Sequence, residues 1–263
     1  MTDAIDEAAL AQAYEHGLAC EKAGDLPGAV AAFRRVLAID PEDRGGAAVR
    51  LAALGEGPVP ETAPPAYVAL LFDQHAEAFD EMLVDQLGYH TPMELRERLR
   101  ERGFAGCARL LDLGCGTGLT GQSLRDMAGH VTGVDLSEGM LAVADEKGVY
   151  DDLYVGDAAG FLMASAEEDG ALWDLIVATD VLPYIGALEG LFAAAAACLA
   201  KGGGLAVSTE TLPEAAFAGR GFRVGPKQRF AHAESYLRDA LAGAGLTVEE
   251  IIPITVRHDE GAP

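Results

Sequence analysis

The stretch LLDLGCGTG, residues 110–118, holds the residues best able to do chemistry in this chain. Glycines at 114, 116 and 118 permit positive φ and let backbone come close to a ligand. An apolar, strand-like run precedes them and a helical run follows. The amides that open the helix, with their partial positive charge, therefore face whatever occupies the bend. Asp112 stands just ahead of it. HVTGVD ends a second apolar run on Asp135, and DDLYVGDA ends a third on Asp157 and Ala158. A carboxylate closing the second strand can accept both hydroxyls of a ribose, and one past the third can accept an adenine amine. The carboxyl ends of such strands line one crevice, where open α/β sheets hold ligands. A nicotinamide fingerprint, G-x-G-x-x-G, wants glycine at 119, and Leu119 stands there. Glycines that serve strand–helix packing alone, with Asp157 in an ordinary turn, make the competing reading.

Those residues need a scaffold, and the hydropathy pattern supplies one. After two amphipathic helices (YVALLFDQHAEAFDEMLVDQLGY and PMELRERLRERG), short apolar runs alternate with helical ones: ARLLDLG, HVTGVDL, DDLYVGD, WDLIVATDVL and GGLAVSTET. Continuous apolar strands separated by helices give βαβ units and a buried parallel sheet. The fold class is α/β, a Rossmann-like, mostly parallel sheet with helices on both faces. Residues 212–231 read as irregular, residues 233–244 as a helix, and Leu246–Pro253 as a sixth strand.

Ahead of this lies different material. LAQAYEHGLACEKAG stops at Gly24, Asp25 caps LPGAVAAFRRVLAID, and Pro41 closes it. Gly17, Gly24, Ala29, Phe33 and Pro41 together resemble one tetratricopeptide repeat (TPR), with Ala13 where a tryptophan is usual. A further helix spans Gly45 to Leu54. Solenoids generally need about three repeats to bury a continuous core, so a single one must dock on its own neighbour or a second copy. GEGPVPETAPP is stiffened by proline and lacks apolar periodicity. The domains are thus a helical TPR-like module over 1–57, a linker over 58–65, and an α/β domain over 66–263.

Composition narrows the functions. With 19 Lys+Arg against 42 Asp+Glu among 263 residues, the net charge of −23 repels phosphate backbones and anionic lipid. Neither nucleic acid nor membrane is an expected partner. The four cysteines form no CxxC, the histidines show no ligand spacing, and no metal site is expected. The first residues lack a signal-peptide pattern, and LFAAAAACLA is about half the length that spans a bilayer. A reducing cytoplasm is the expected location.

From about Tyr67 to Pro253 the chain resembles a class I S-adenosylmethionine-dependent methyltransferase, carried by DLGCGTG and VDLSEGML. With its N-terminal repeat it is similar to bacterial TPR-containing methyltransferases. The resemblance implies S-adenosyl-L-methionine as cofactor and S-adenosyl-L-homocysteine as product. It places Asp112, Gly114, Cys115, Gly116, Thr117 and Gly118 at the methionine end, and Asp135 with Leu136 at the ribose. Met140 falls on adenine, Asp157 and Ala158 at the base edge, and Asp180 beside the sulfonium. FDQHAEAFDEML resembles the helical segment of small-molecule methyltransferases, so Phe72 and Phe79, with Tyr67, would form a lid. Family members finish on a seventh strand beside the sixth. Only TVRHDEGAP follows Pro253, so the expectation is a sheet one strand short, a truncated chain, or a brief edge over 253–258.

Methyl transfer from a sulfonium is an in-line displacement that asks for alignment and exclusion of water. Where the acceptor must lose a proton, His232 is the candidate base and Tyr184 an orienting group. Arg220, Arg223 and Arg229 lie in GRGFRVGPKQRFAH, which has no acid and would guide an anionic small molecule. Pairing with the chain's own acids is the alternative. The leading function is methylation of a small molecule. Its rivals are a nicotinamide oxidoreductase, a cofactor-binding protein whose TPR-like module binds a protein partner or self-associates, and a protein methyltransferase guided by that module.

Overall fold

The computed structural model describes residues 5–167 and 172–256. In chain order the elements are α1 (Glu7–Ala23), α2 (Leu26–Ile39), α3 (Ala47–Ala53), α4 (Pro65–Asp73), α5 (Thr91–Glu101), β1 (Cys107–Leu113), α6 (Leu119–Leu124), β2 (Ala128–Asp135), α7 (Glu138–Glu146), β3 (Asp152–Val155), α8 (Ala158–Glu167), β4 (Trp173–Ala178), α9 (Glu189–Cys198), β5 (Leu199–Val207), β6 (Phe222–Val224), β7 (Phe230–His232) and α10 (Glu234–Gly243). They group into two compact units. One gathers the chain up to Leu70 with Pro183–Ala187 and Glu210–Tyr236; the other holds Leu71–Leu182, Leu188–Thr209 and the chain from Leu237 on.

The second unit is built on a five-stranded sheet in the order β3-β2-β1-β4-β5, with every pairing parallel. Parallel strands need both faces covered, which is why β1, β2 and β4 read as continuous apolar runs. On one face Leu110, Val131, Leu175 and Val177 pack with Leu124 and Met127, and Leu95 and Leu99 of α5 cover them. The chain winds one way from β1 to β3 and the other way through β4 and β5. The switch falls between β1 and β4, at whose carboxyl ends such sheets bind ligands.

The structure departs from expectation in four places. Residues 246–253 carry no strand, and among the described residues no strand pairs with them; Glu249 and Glu250 ion-pair with Arg102 at 2.7 and 3.8 Å. The brief edge considered over 253–258 lies partly outside the described residues, and 253–256 carry no strand. The first of the two helices expected before β1 is broken into α4, a 3-10 turn at Ala76–Ala78 and a π-helical turn at Glu81–Gln86. The break begins where the His75 amide turns back to Phe72 O. Within 212–231 an antiparallel hairpin, β6–β7, replaces the irregular stretch, closed by Gly225 N donating to Arg229 O and by Gln228 at φ +54°.

The first unit opens with the expected helical hairpin. Asp25 Oδ1 accepts the Gly28 amide, and Gly24 at φ +74° ends α1. Phe33 is fully buried against Gly17, where a Cβ would lie 2.6 Å from its ring. Burying such a ring stabilises by roughly 1.5 to 3 kcal/mol. Arg50 of α3 lies 5.7 Å over both the Tyr14 and Phe33 rings and ion-pairs with Glu21 at 2.8 Å. Residues 58–65 are integrated into this unit: Glu61 O accepts the Gly186 and Ala187 amides, and Ala63 N donates to Tyr184 O. No helix among the described residues is long and apolar enough to cross a membrane.

Candidate functional site

The bend after β1 is left-handed at three glycines, with φ +62° at Gly114, +54° at Gly116 and +91° at Gly118. Their reasons differ. A Cβ on Gly114 would meet Val181 at 2.4 Å, and one on Gly118 would meet the Tyr150 ring at 3.0 Å. One on Gly116 would meet nothing within 4 Å. Packing thus accounts for the outer two, while the middle glycine borders open space. Cys115 N donates to Val134 O, and its buried thiol is pushed well above the ordinary range, first by burial and then by Asp112 and Asp135. A thiol held neutral in this way is no nucleophile.

Asp135, at the end of β2, braces the bend. Its Oδ2 accepts the Gly116 amide at 2.8 Å and its Oδ1 the Ser137 amide at 2.9 Å. Burial raises its pKa and those amides oppose the rise. Ser137 caps α7 by accepting Met140 N at 3.0 Å, and Met140 is fully buried beneath it. Leu136 is half-buried.

Asp112 is fully buried, and its Oδ2 accepts the Tyr150 hydroxyl at 2.7 Å. Its Oδ1 has no partner. Burial pushes this carboxyl up to about 7, against the hydrogen bond from Tyr150. The Tyr150 oxygen in turn accepts the Gly121 amide at 3.2 Å, tying the segment before β3 to α6. Nearby, the hydroxyls of Thr120 and Thr179 bond at 2.7 Å, bridging the start of α6 to the end of β4. Asp180, next in the chain, sits at φ +61° with its amide donating to Ser208 Oγ at 2.8 Å. A non-glycine held in that conformation carries strain that the surroundings must impose.

Not every residue named from the sequence joins this arrangement. Asp157 is exposed and caps α8, accepting Gly160 N at 2.8 Å, with Ala158 half-buried behind it. Phe72 and Phe79 meet edge to face at 5.8 Å, and Thr117 donates its hydroxyl to Asp80. Tyr67 belongs to the first unit, its ring over Gly46. Tyr184, His232 and the three arginines belong there too. His232 is fully buried, Nε2 facing Ile185 O at 2.9 Å and Gly186 O at 3.1 Å, so that nitrogen carries the proton. Its ring stacks on Tyr236. Arg223 donates to Ala216 O, Arg229 ion-pairs with Glu210, and Arg220 is exposed.

Sequence reasoning missed Tyr150, Asp73, Asp80 and Lys147. Asp73 and Asp80 stood beside the two phenylalanines in the segment already singled out. The signal for Tyr150 was the absence of side chains at Gly118, Gly121 and Gly133, all of which its ring fills. Among the described residues no group of three His, Cys, Asp or Glu could hold a metal ion.

Residues 83–251 match a family model described as a methyltransferase domain. The chain is 39% identical over 89 residues to the 18S rRNA (guanine-N(7))-methyltransferase RID2 of Arabidopsis thaliana, covering 30% of this chain and 31% of that protein. It is 34% identical over 123 residues to a ubiquinone biosynthesis O-methyltransferase of Aromatoleum aromaticum, covering 45% and 50%. The chain thus spans a third to a half of the length of these curated relatives. A crystal structure of an S-adenosylmethionine-dependent methyltransferase from Clostridium acetobutylicum superposes with TM-score 0.50 at 19% identity, over 68% of this chain and 89% of that one. At that identity the likeness concerns the fold.

Proposed function

The chain belongs to this methyltransferase-domain family, and we propose that it transfers a methyl group from S-adenosylmethionine to a small-molecule acceptor. The observation that carries the proposal is the coupling of Gly116 to Asp135. One carboxylate fixes the open glycine of the bend and ends the strand where a ribose would lie. The residues present fit the cofactor. Gly116 leaves room for it, and the orphaned Oδ1 of buried Asp112 is an acceptor in want of a cationic donor such as the methionyl ammonium. In this reading Gly114 to Gly118 hold the methionine end, and Asp135 and Leu136 the ribose.

Bound there, the cofactor supplies an electrophilic methyl on a sulfonium. The protein's share is alignment and exclusion of water, and proximity alone is worth at most roughly 7 to 11 kcal/mol. Asp180, held by Ser208, presents its strained backbone beside the bend, which suits a residue that fixes the reacting end. His232 gives its Nε2 proton to the carbonyls of residues 185 and 186 and so holds that segment within its own unit. Tyr184 lies in that same segment, next to Ile185.

The relatives' names cover acceptors as different as an rRNA guanine and an intermediate of ubiquinone biosynthesis. A net charge of −23 favours the small molecule over RNA. Arg223 and Arg229 are engaged within their own unit, which weakens the case for an anionic acceptor. We propose that the TPR-like helices, rather than acting as a detachable adaptor over 1–57, form one compact module with 183–187 and 210–236. Their shared packing supports this. The test is incubation with labelled S-adenosylmethionine, offering a small-molecule extract and a protein lysate separately. Label confined to the small-molecule fraction is the expected outcome; label in protein alone refutes the acceptor class.

A further inference from the structure

Two carboxylates fasten the broken segment between α4 and α5. Asp73 Oδ1 accepts the Ser137 hydroxyl at 2.5 Å and the Gly139 amide at 3.0 Å, at the start of α7. Asp80 accepts the Thr117 hydroxyl from the glycine bend and, through its other oxygen, the Lys147 ammonium from the far end of α7, both at 2.5 Å. Gly139 makes the approach feasible, because a Cβ there would already lie 3.1 Å from Asp73 Oδ1 and 3.3 Å from Ala76. Directly after Asp80 the backbone takes the π-helical turn at Glu81–Gln86. Such turns are rare and recur at functional sites. The segment is therefore a strap, pinned at both ends of α7 and to the bend itself.

We propose that Asp80 and Lys147 latch this strap closed, so that its opening sets the rate at which cofactor enters and leaves; this rests on the cofactor reading above. The side chains of Asp80 and Lys147 are 37% and 20% exposed. A pair so placed is firm enough to favour the closed strap and weak enough to break during turnover. A latch made equally in the empty and occupied site has no leverage on affinity. Weakening it raises the association and dissociation rate constants by the same factor. A contact that only supports the fold behaves otherwise, lowering the melting temperature without speeding exchange.

The experiment is surface plasmon resonance of S-adenosylhomocysteine on the full chain, as wild type, Lys147→Gln and Asp80→Asn, with melting temperatures alongside. Asn at 80 keeps an acceptor for Thr117, and Gln at 147 keeps a donor at the C-terminal end of α7, so both variants are expected to fold. Both rate constants are expected to rise together by roughly threefold to tenfold, the scale of a part-exposed charged hydrogen bond, with Kd changed by less than about twofold. Wild-type rates in both variants, or a faster dissociation alone with a lowered melting temperature, overturn the latch. Absence of binding by the wild type overturns the cofactor reading itself, and the latch with it.

Discussion

Tyr150 donates its hydroxyl to Asp112 at 2.7 Å, joining the segment ahead of β3 to the strand that carries the glycine bend. The same oxygen accepts from Gly121, so one phenol ties β1, α6 and the approach to β3. Tyr150→Phe keeps the ring that fills the space over Gly118, Gly121 and Gly133 but strips Asp112 of its donor. We expect the fold to persist with a loss of about 1 to 3 kcal/mol in urea unfolding, the cost of a buried group left unsatisfied. An unchanged midpoint refutes the tie.

Asp112 also gives a pH dependence with a definite sign. Its folded pKa of about 7 exceeds the ordinary 3.8, so between those values the unfolded chain has already released the proton that the folded chain keeps. Stability from this group falls as pH rises from about 4 to 7. Asp112→Asn should match the wild type near pH 4 and exceed it by about 1 kcal/mol or more at pH 8. Denaturant titrations at the two pH values check this, and a variant less stable at pH 8 contradicts it.

The glycines of the bend separate by substitution. Gly116→Ala meets only the cost of a left-handed conformation, about 1 to 2 kcal/mol, and narrows the open space at the site. We expect a folded protein with weakened S-adenosylhomocysteine binding. Gly114→Ala adds a collision with Val181 and should lose roughly 1 to 3 kcal/mol more through overpacking. Melting curves and calorimetric titration distinguish the two; equal losses of stability refute the division of roles.

Much of this was legible in the residues. The parallel sheet, the bend and Asp135 follow from apolar runs that end on glycine or aspartate, because burial on two faces leaves little freedom in composition. What escaped depends on contacts remote in sequence. Three-residue strands such as Phe222–Val224 are too short for an alternation to register. Residues 246–253 hold apolar Leu246, Val248, Ile251 and Ile252 but pair with no strand among the described residues, and pairing is not a local property. The helical period through 67–89 is real, yet Asp73 and Asp80 reach α7 and the bend, and the backbone breaks to let them. His232 looked like a base from its position, and only the carbonyls of Ile185 and Gly186 reveal where its proton goes.

If the N-terminal helices share one cooperative unit with 183–187 and 210–236, loosening them loosens all three segments. Phe33→Ala removes a fully buried ring and should cost about 3 to 5 kcal/mol. Hydrogen exchange is then expected to accelerate in 222–232 as well as in 7–53. Acceleration confined to 7–53 shows that the helices are an independent module.

Calorimetric titration of S-adenosylhomocysteine into wild type and Asp135→Ala tests most directly whether Asp135 and the bend it braces grip an adenosyl ligand. Loss of hydrogen bonds to a charged acceptor predicts tight binding by the wild type and an affinity weakened by about 1 to 3 kcal/mol in the variant. Equal affinity in the two proteins, or none in the wild type, contradicts the account.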